Sequence, residues 1–437
     1  MLVPVSGPRR LSRLAAGVAG VAAIGLTATA CLPAAPEVAV RPTDGVFRLT
    51  GHGWGHGRGM SQYGAFGGAL LGVPAATMLA SYYPHTTAST LRDAPVRVRL
   101  TADEGRDLVI RAATGLTATD AASGRSLTLP AGPSRWRAVI SGSGLHLQRF
   151  TTAWADVTMG GASSFAGPLR FFLPGSAAGQ SLLGVQLPSG ATVDYRGSAS
   201  AAVVSPGALV SVVTTPMESY LRGVVPREMP ASWPAAALQV QAVAARTYAA
   251  RWRATYGATH AWDICDSTAC QVFAGTTTHP VAGGAVPQEA SASSAAVAAT
   301  AGQVRSAGGM LIDAEFSSSN GGWTVDGGVP WLDAHADPWD AVAGGSLHTW
   351  QATVTASALE QRFPAVGHLL RLRVLSRDGH GEWGGRVRDV VLDGVSATGA
   401  HTSVATTGAA LAGAFAWPGA STGLRSSWWH VDTAVSG

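Results

Sequence analysis

Glu228 stands between Pro226 and Pro230, with Val225, Met229 and Trp233 close by in the chain. Two prolines fix φ and remove backbone freedom, so the segment itself holds this carboxylate in place. Apolar surroundings disfavour the charged form of a carboxyl and raise its pKa, which keeps it protonated near neutral pH. A general acid that cleaves a glycosidic bond needs that property. A structural reading competes. Arg246 lies in the apolar stretch that follows and needs a carboxylate if it is buried. Glu228 would serve, but so would Glu218, and residue chemistry alone leaves the two readings level.

The elements around Glu228 are legible. Thr215-Pro216-Met217-Glu218 reads as a capping box with Pro at the first helical position, opening a short helix that Gly223 stops. Ser232 caps a long helix from about Trp233, PAAALQVQAVAARTYAARW, apolar nearly all round and therefore buried. Gln241 and Tyr248 share one face of it, and Arg246 lies on another.

Two further segments carry polar groups suited to a ligand. In Gly51–Gly67, GHGWGHGRGMSQYGAFG, alternating glycines allow close backbone approach, and His52, His56, Ser61 and Gln62 offer hydrogen bonds to sugar hydroxyls. The competing reading is a glycine-rich turn that packs Trp54, Met60 and Tyr63. No acid or Cys stands near His52 and His56, so a metal site there is not expected. Ser318, Ser319 and Asn320 sit in a tight turn, SSSNGG, suited either to glycan binding or to an ordinary hairpin. The 14 Trp, Trp428 and Trp429 among them, suit sugar stacking or a core equally.

The chain has 437 residues, 46% hydrophobic and only 13% charged, with 55 Gly and 24 Pro. Such low charge and high Gly content point to a loop-rich exported protein. All 30 basic residues are arginine. Arg9, Arg10 and Arg13, the apolar run Leu14 to Thr27 and Ala28-Thr29-Ala30 form an export signal over residues 1–30. Its loss removes three Arg and no acid, taking the formal charge from +4 to +1. With no basic run interleaved with aromatics, nucleic acid is not the implied partner. Cys31 follows the cleavage site directly, where it is either a lipidation site and membrane anchor or simply the first secreted residue. Residues 31–44 are a Pro/Ala tether.

From about Pro95 to Ser205 the pattern is strand: VRVRL, DLVIRA, LHLQRF, LRFFL and TVDYRG, followed by ALVSVVTT at 208–215. GMLIDAEFSSSNGGWTVD at 309–326 reads as strand, turn, strand, and RLRVL and GRVRDVVLDG alternate near the end. The expected fold class is α+β, a mostly β frame with a helix-turn-long helix unit carrying Glu228.

At MESYLRGVVPREMPASWP and LQVQAVAARTYA the chain resembles the stage II sporulation protein D family (SpoIID/LytB). YRG at 195–197, CDSTACQVFAG at 265–275, DAEFSSSNGGWT at 313–324 and, more loosely, GRVRDVVLDG extend the likeness. GHGWGHGRGMSQYGA at 51–65 looks like the family's HGxGMSQ-GA element, which in sporulation members lies near the C-terminus and here precedes everything else. The resemblance implies one domain over 45–437, with a β-rich subdomain at 95–205 and a catalytic core at 206–335.

The resemblance also implies a lytic transglycosylase acting on peptidoglycan glycan strands, in cell-wall remodelling or sporulation. Glu228 falls on the family's catalytic Glu in the E-M-P motif. It would protonate the oxygen between MurNAc and GlcNAc, then take the proton of the muramic 6-hydroxyl to close a 1,6-anhydro ring. Gln241, Arg246 and Tyr248 would join His52, His56, Ser61, Gln62 and the Ser318–Asn320 turn as substrate ligands. One carboxylate suffices there because the nucleophile belongs to the sugar, and the segment shows no second obvious acid. Other members are enhancers of a cell-wall amidase, the alternative reading. Cys265 and Cys270 are expected to form a local disulfide in an exported chain. Some members hold zinc near this point, but only His260 precedes the pair here, a set short of ligands, and no cofactor is expected.

Overall fold

Strict alternation of buried and exposed side chains sets the frame. Arg135–Ser141 buries Trp136 and Ala138 while its arginines face out, and Pro95–Arg99 buries Val96 and Val98 in the same way. The chain, a computed structural model describing residues 37–105, 107–142, 144–343, 345–415 and 423–432, has an α+β fold with a mostly β frame. The export signal, the first part of the tether and Cys31 lie outside the described residues.

An eight-stranded and a seven-stranded sheet share one apolar core. Every strand run expected between Pro95 and Pro216 forms: Leu108–Arg111, Gly144–Phe150, Leu169–Phe172, Thr192–Arg196 and Ala208–Pro216 all lie in these sheets. The expected division at 205 falls in the hairpin between Ser198–Ser205 and Ala208–Pro216, which are paired antiparallel. Thr277–His279, beyond that division, pairs with Thr192–Arg196. The β-rich region and the helical core are therefore knit through shared sheets.

Ala208–Pro216 delivers the chain into the Glu helix, Met217–Glu228. Two expectations are corrected here. The helix has no Thr215 cap; its first amide, Met217 N–H, donates to Asp93 Oδ1 at 3.1 Å. Nor does it stop at Gly223. It continues through Pro226 to Glu228, with Gly223 in the helix because any Cβ would meet Phe273 and the Gly275 carbonyl at 2.8 Å. Glu218, expected to reach back to the cap, binds Arg246 instead.

The long helix is Ala235–Tyr256, opened by Pro234 rather than by Ser232. Its alanines let the helices Gln62–Leu70, Ala75–Tyr82, Met217–Glu228 and Ser291–Ala299 pack directly on it. Fully buried Arg246 ties this bundle together. Its Nε and Nη2 donate to the two carboxylate oxygens of Glu218 at 2.9 and 2.7 Å, and its other bonds reach the Ala242, Val297 and Gln303 carbonyls and the Thr300 hydroxyl. The expected strand-turn-strand at 309–326 is instead two very short strands, Met310–Leu311 and Phe316–Ser317, followed by turns.

A second core joins strands from both ends of the described chain. Val46–His52 sits between Thr349–Thr355 and Trp428–Val431, and His368–Arg377 sits between Glu37–Val40 and Val387–Val395. Phe47, Leu49, Trp350, Leu372, Leu392 and Trp429 fill the space between. Trp428 and Trp429, 4% and 0% exposed, belong to this module and are not free for sugar stacking.

Candidate active site

Glu228 ends its helix at a cavity of about 520 Å³. The Val272 amide donates to Glu228 Oε1 at 3.2 Å, and Gln62 makes a second hydrogen bond to the carboxylate. Burial nonetheless dominates and pushes the Glu228 pKa above the usual glutamate range, against those two bonds. Gln62 is held in turn: its Nε2 donates to Gln241 Oε1 at 3.2 Å, from the buried face of the long helix. Tyr220, fully buried, donates to Gln271 Oε1 at 3.1 Å and so supports the extended segment that presents Val272.

The 265–272 segment forms one rim. Cys265 and Cys270 are joined by a disulfide with Cα atoms 5.5 Å apart, and Thr268, Ala269, Cys270 and Val272 line the cavity. Joined sulfurs offer no thiolate to a metal, and His260 points elsewhere, its Nδ1 2.9 Å from the Thr259 hydroxyl. Among the described residues no group of three or more His, Cys, Asp or Glu side chains is placed to hold a metal ion.

Opposite runs the Gly-His loop. His56 Nδ1 accepts the Arg58 amide at 3.0 Å, and burial together with the Arg58 charge draws the His56 pKa down to about 4. His56 is therefore a neutral hydrogen-bonding group. Arg58 Nε donates to Glu315 Oε2 at 2.6 Å, so this wall carries a guanidinium-carboxylate pair. Gly57 and Gly59 have φ of +75° and +64°, and a Cβ on Gly59 would lie 2.1 Å from the Glu315 carbonyl oxygen. Only glycine allows the loop to lie this close to residues 315–320.

The expected ligands separate into two groups. Glu228, His56, Gln62, Tyr248 and Ser318 line the cavity together. Gln241 stands one layer behind, through Gln62. Ser61, Ser319 and Asn320 are buried scaffolding: Ser319 Oγ donates to Asp340 Oδ2 at 2.8 Å, Asn320 Nδ2 donates to Asp337 Oδ2 at 2.8 Å, and Ser61 caps Gln62–Leu70 while donating to Asp340. His52 lies in the C-terminal module, with Nε2 2.9 Å from Glu382 Oε2 and its ring against Trp383 and Trp428. Arg246 is enclosed by Glu218 and carbonyls and does not reach the cavity.

Sequence reasoning missed two acids. Asp313 and Glu315 both line the cavity, and burial plus the Glu315 charge raises the Asp313 pKa. Their spacing was the signal, since positions two apart in extended chain face one way. Tyr248 beside them has its pKa pushed up to about 12 by burial and by Asp313, so it remains a neutral donor. Burial, Val272 and Gln62 account for the Glu228 shift, while Glu315, Arg251 and Arg58 are the charges felt by Asp313. The two carboxyls thus occupy separate electrostatic neighbourhoods of one cavity.

Comparison with known proteins bears on the same region. Residues 205–306 match the family model SpoIID, described as stage II sporulation protein. The amidase enhancer of Bacillus subtilis (strain 168) is 37% identical over 151 residues, 33% of this chain and 19% of that protein. Stage II sporulation protein D of the same organism is 30% identical over 160 residues, 34% of this chain and 46% of that protein. The matched stretch thus spans less than half the length of either relative. No solved structure matches the chain significantly. The likeness to the SpoIID family of stage II sporulation proteins thus falls on residues 205–306, the stretch that carries Glu228 and the disulfide rim.

Proposed function

We propose that the protein is exported and acts on the cell wall as a peptidoglycan lytic transglycosylase, with Glu228 as both acid and base. The observation that carries this reading is a carboxyl with a raised pKa at the wall of an open, polar cavity, fixed by one backbone amide and one glutamine. Protonated Glu228 gives its proton to the glycosidic oxygen between MurNAc and GlcNAc as the bond to C1 breaks. The resulting carboxylate removes the proton of the muramic 6-hydroxyl, whose oxygen bonds to C1 and closes the 1,6-anhydro ring. Glu228 ends the cycle reprotonated. Asp313 and the Arg58–Glu315 pair line the far side of the same cavity, while neutral His56, Gln62, Tyr248 and Ser318 supply hydrogen bonds to sugar hydroxyls.

The second reading is a wall-binding enhancer of an N-acetylmuramoyl-L-alanine amidase, favoured by the name of one relative. Peptide-free glycan strands incubated with wild type and with Glu228→Gln separate the two. The transglycosylase reading expects 1,6-anhydro products from wild type and a rate roughly 10²–10⁴-fold lower from the variant. Absence of these products, or equal release by both proteins, selects the enhancer.

A further inference from the structure

A ladder of aromatic rings starts inside the cavity and runs outward along the long helix. Tyr248 lines the cavity, and its ring centre lies 5.8 Å from that of Trp252. Trp252 stacks on Tyr256 at 4.6 Å with planes 11° apart. Tyr256 is 5.4 Å from His260, which is 5.5 Å from Trp262, and the Arg99 guanidinium lies 4.7 Å over the Trp262 ring. Tyr248, Trp252 and Tyr256 recur every four residues, so one helix face presents them at steps of about 6 Å.

Core packing accounts for Trp262, which rests on Ala202, Val210 and Val212, but not for the rungs before it. Tyr256 is 42% exposed and His260 is exposed as well. Except for the Trp252–Tyr256 pair the rings are tilted by 39° to 56°, so they do not cover one another face to face. Such a strip combines apolar area with hydroxyl and ring-nitrogen groups at its rim, the complement of a pyranose with its apolar C–H face and hydroxyl edge. Rings that brace one another lose little freedom when a ligand arrives. The rung spacing is comparable to the length of one sugar unit, and the ladder is continuous with the cavity through Tyr248.

We propose that Trp252, Tyr256, His260 and Trp262 form an extended saccharide subsite, on which the glycan strand lies as it leaves the Glu228 cavity. The proposal rests on the reading of that cavity as a glycan site. It gives the strand a direction, along the helix towards its C-terminal end, and makes affinity depend on strand length.

The test measures binding of purified peptide-free glycan strands and of a tetrasaccharide of the same chemistry, all in a Glu228→Gln background so that nothing is cleaved. Tyr256→Ser with His260→Ala changes two exposed side chains, and an unchanged melting curve checks the fold. The ladder predicts that long strands bind tighter than the tetrasaccharide, and that the double variant weakens long-strand binding roughly tenfold while the tetrasaccharide changes less than twofold. Equal long-strand affinity with and without the variant overturns the proposal, as does a parent protein with no preference for length. Intact strand binding with loss of amidase stimulation overturns it too, assigning the ladder to a protein partner. Strands that bind along the ladder but are never cut by wild type remove the transglycosylase reading and leave the ladder standing. Cleavage without length preference does the reverse.

Discussion

Glu228 is pulled in two directions, by burial towards the neutral acid and by the Val272 amide and Gln62 towards the carboxylate. The proposed role, giving and then taking a proton, needs both. The raised pKa has a measurable thermodynamic sign. Because the folded-state value lies above the unfolded one, the protonated form is favoured by folding; that contribution is complete below the ordinary glutamate range and is lost as pH rises through the folded value. Glu228→Gln removes the penalty, so the variant should melt higher than wild type at neutral pH, with the gap closing as pH falls below about 4. Gln62→Leu deletes one of the bonds that lower the Glu228 pKa. The alkaline limb of the activity profile, where the acid loses its proton, should move to higher pH, with kcat reduced about tenfold. At this scale the sequence was most informative: the two prolines and apolar neighbours of Glu228 foretold a raised pKa. Asp313 and Glu315 were passed over because only the fold brings residues 56–58 and 313–318 to the same wall as the helix end.

Among the elements, the Arg246–Glu218 pair decides how the Glu helix is carried. Its guanidinium is fully enclosed, so Glu218→Ala leaves a buried charge unpaired and should cost about 3–5 kcal/mol in denaturant unfolding. That the pair existed could be argued from sequence, since a buried arginine needs a carboxylate. The position of the helix end could not, because Gly223 reads as a stop and instead lies inside the helix, which runs on through Pro226 to Glu228. The disulfide rim has a different weight. It closes so short a loop that replacing Cys265 and Cys270 by Ser should lower stability by only about 2 kcal/mol. Activity should fall more steeply than stability, because Val272 then presents its amide less firmly; comparison of kcat with melting temperature checks this. On the other wall, Gly59→Ala forces a side chain into left-handed φ and against the Glu315 carbonyl. An expected loss of about 1–3 kcal/mol accompanies a displaced Arg58–Glu315 pair, visible as reduced activity in a protein that still folds.

Across the whole molecule, two cores meet at the Gly-His loop, and one arginine joins them. Arg386 belongs to the C-terminal module, yet its Nη1 donates to the Gly55 carbonyl and its Nη2 to the Asn320 carbonyl, both at 3.2 Å. Burial draws its pKa down to about 10, so it remains charged under ordinary conditions. Arg386→Gln should lower activity without altering any cavity-lining residue, because the loop and the serine-asparagine turn lose their common brace. This module was the least legible part of the chain. Val46–His52 and Trp428–Val431 each look like ordinary short strands, and nothing local to either reveals that they pair. Long-range pairing of this kind carries a temporal consequence. Val46–His52, which leads into the Gly-His loop, lacks one neighbour until Trp428–Val431 arrives, so a chain still being made holds Glu228 before the loop opposite it is fully braced. If the cavity cuts glycan as proposed, the order of synthesis would act as a safety catch, holding the activity back until Trp428–Val431 has joined the sheet.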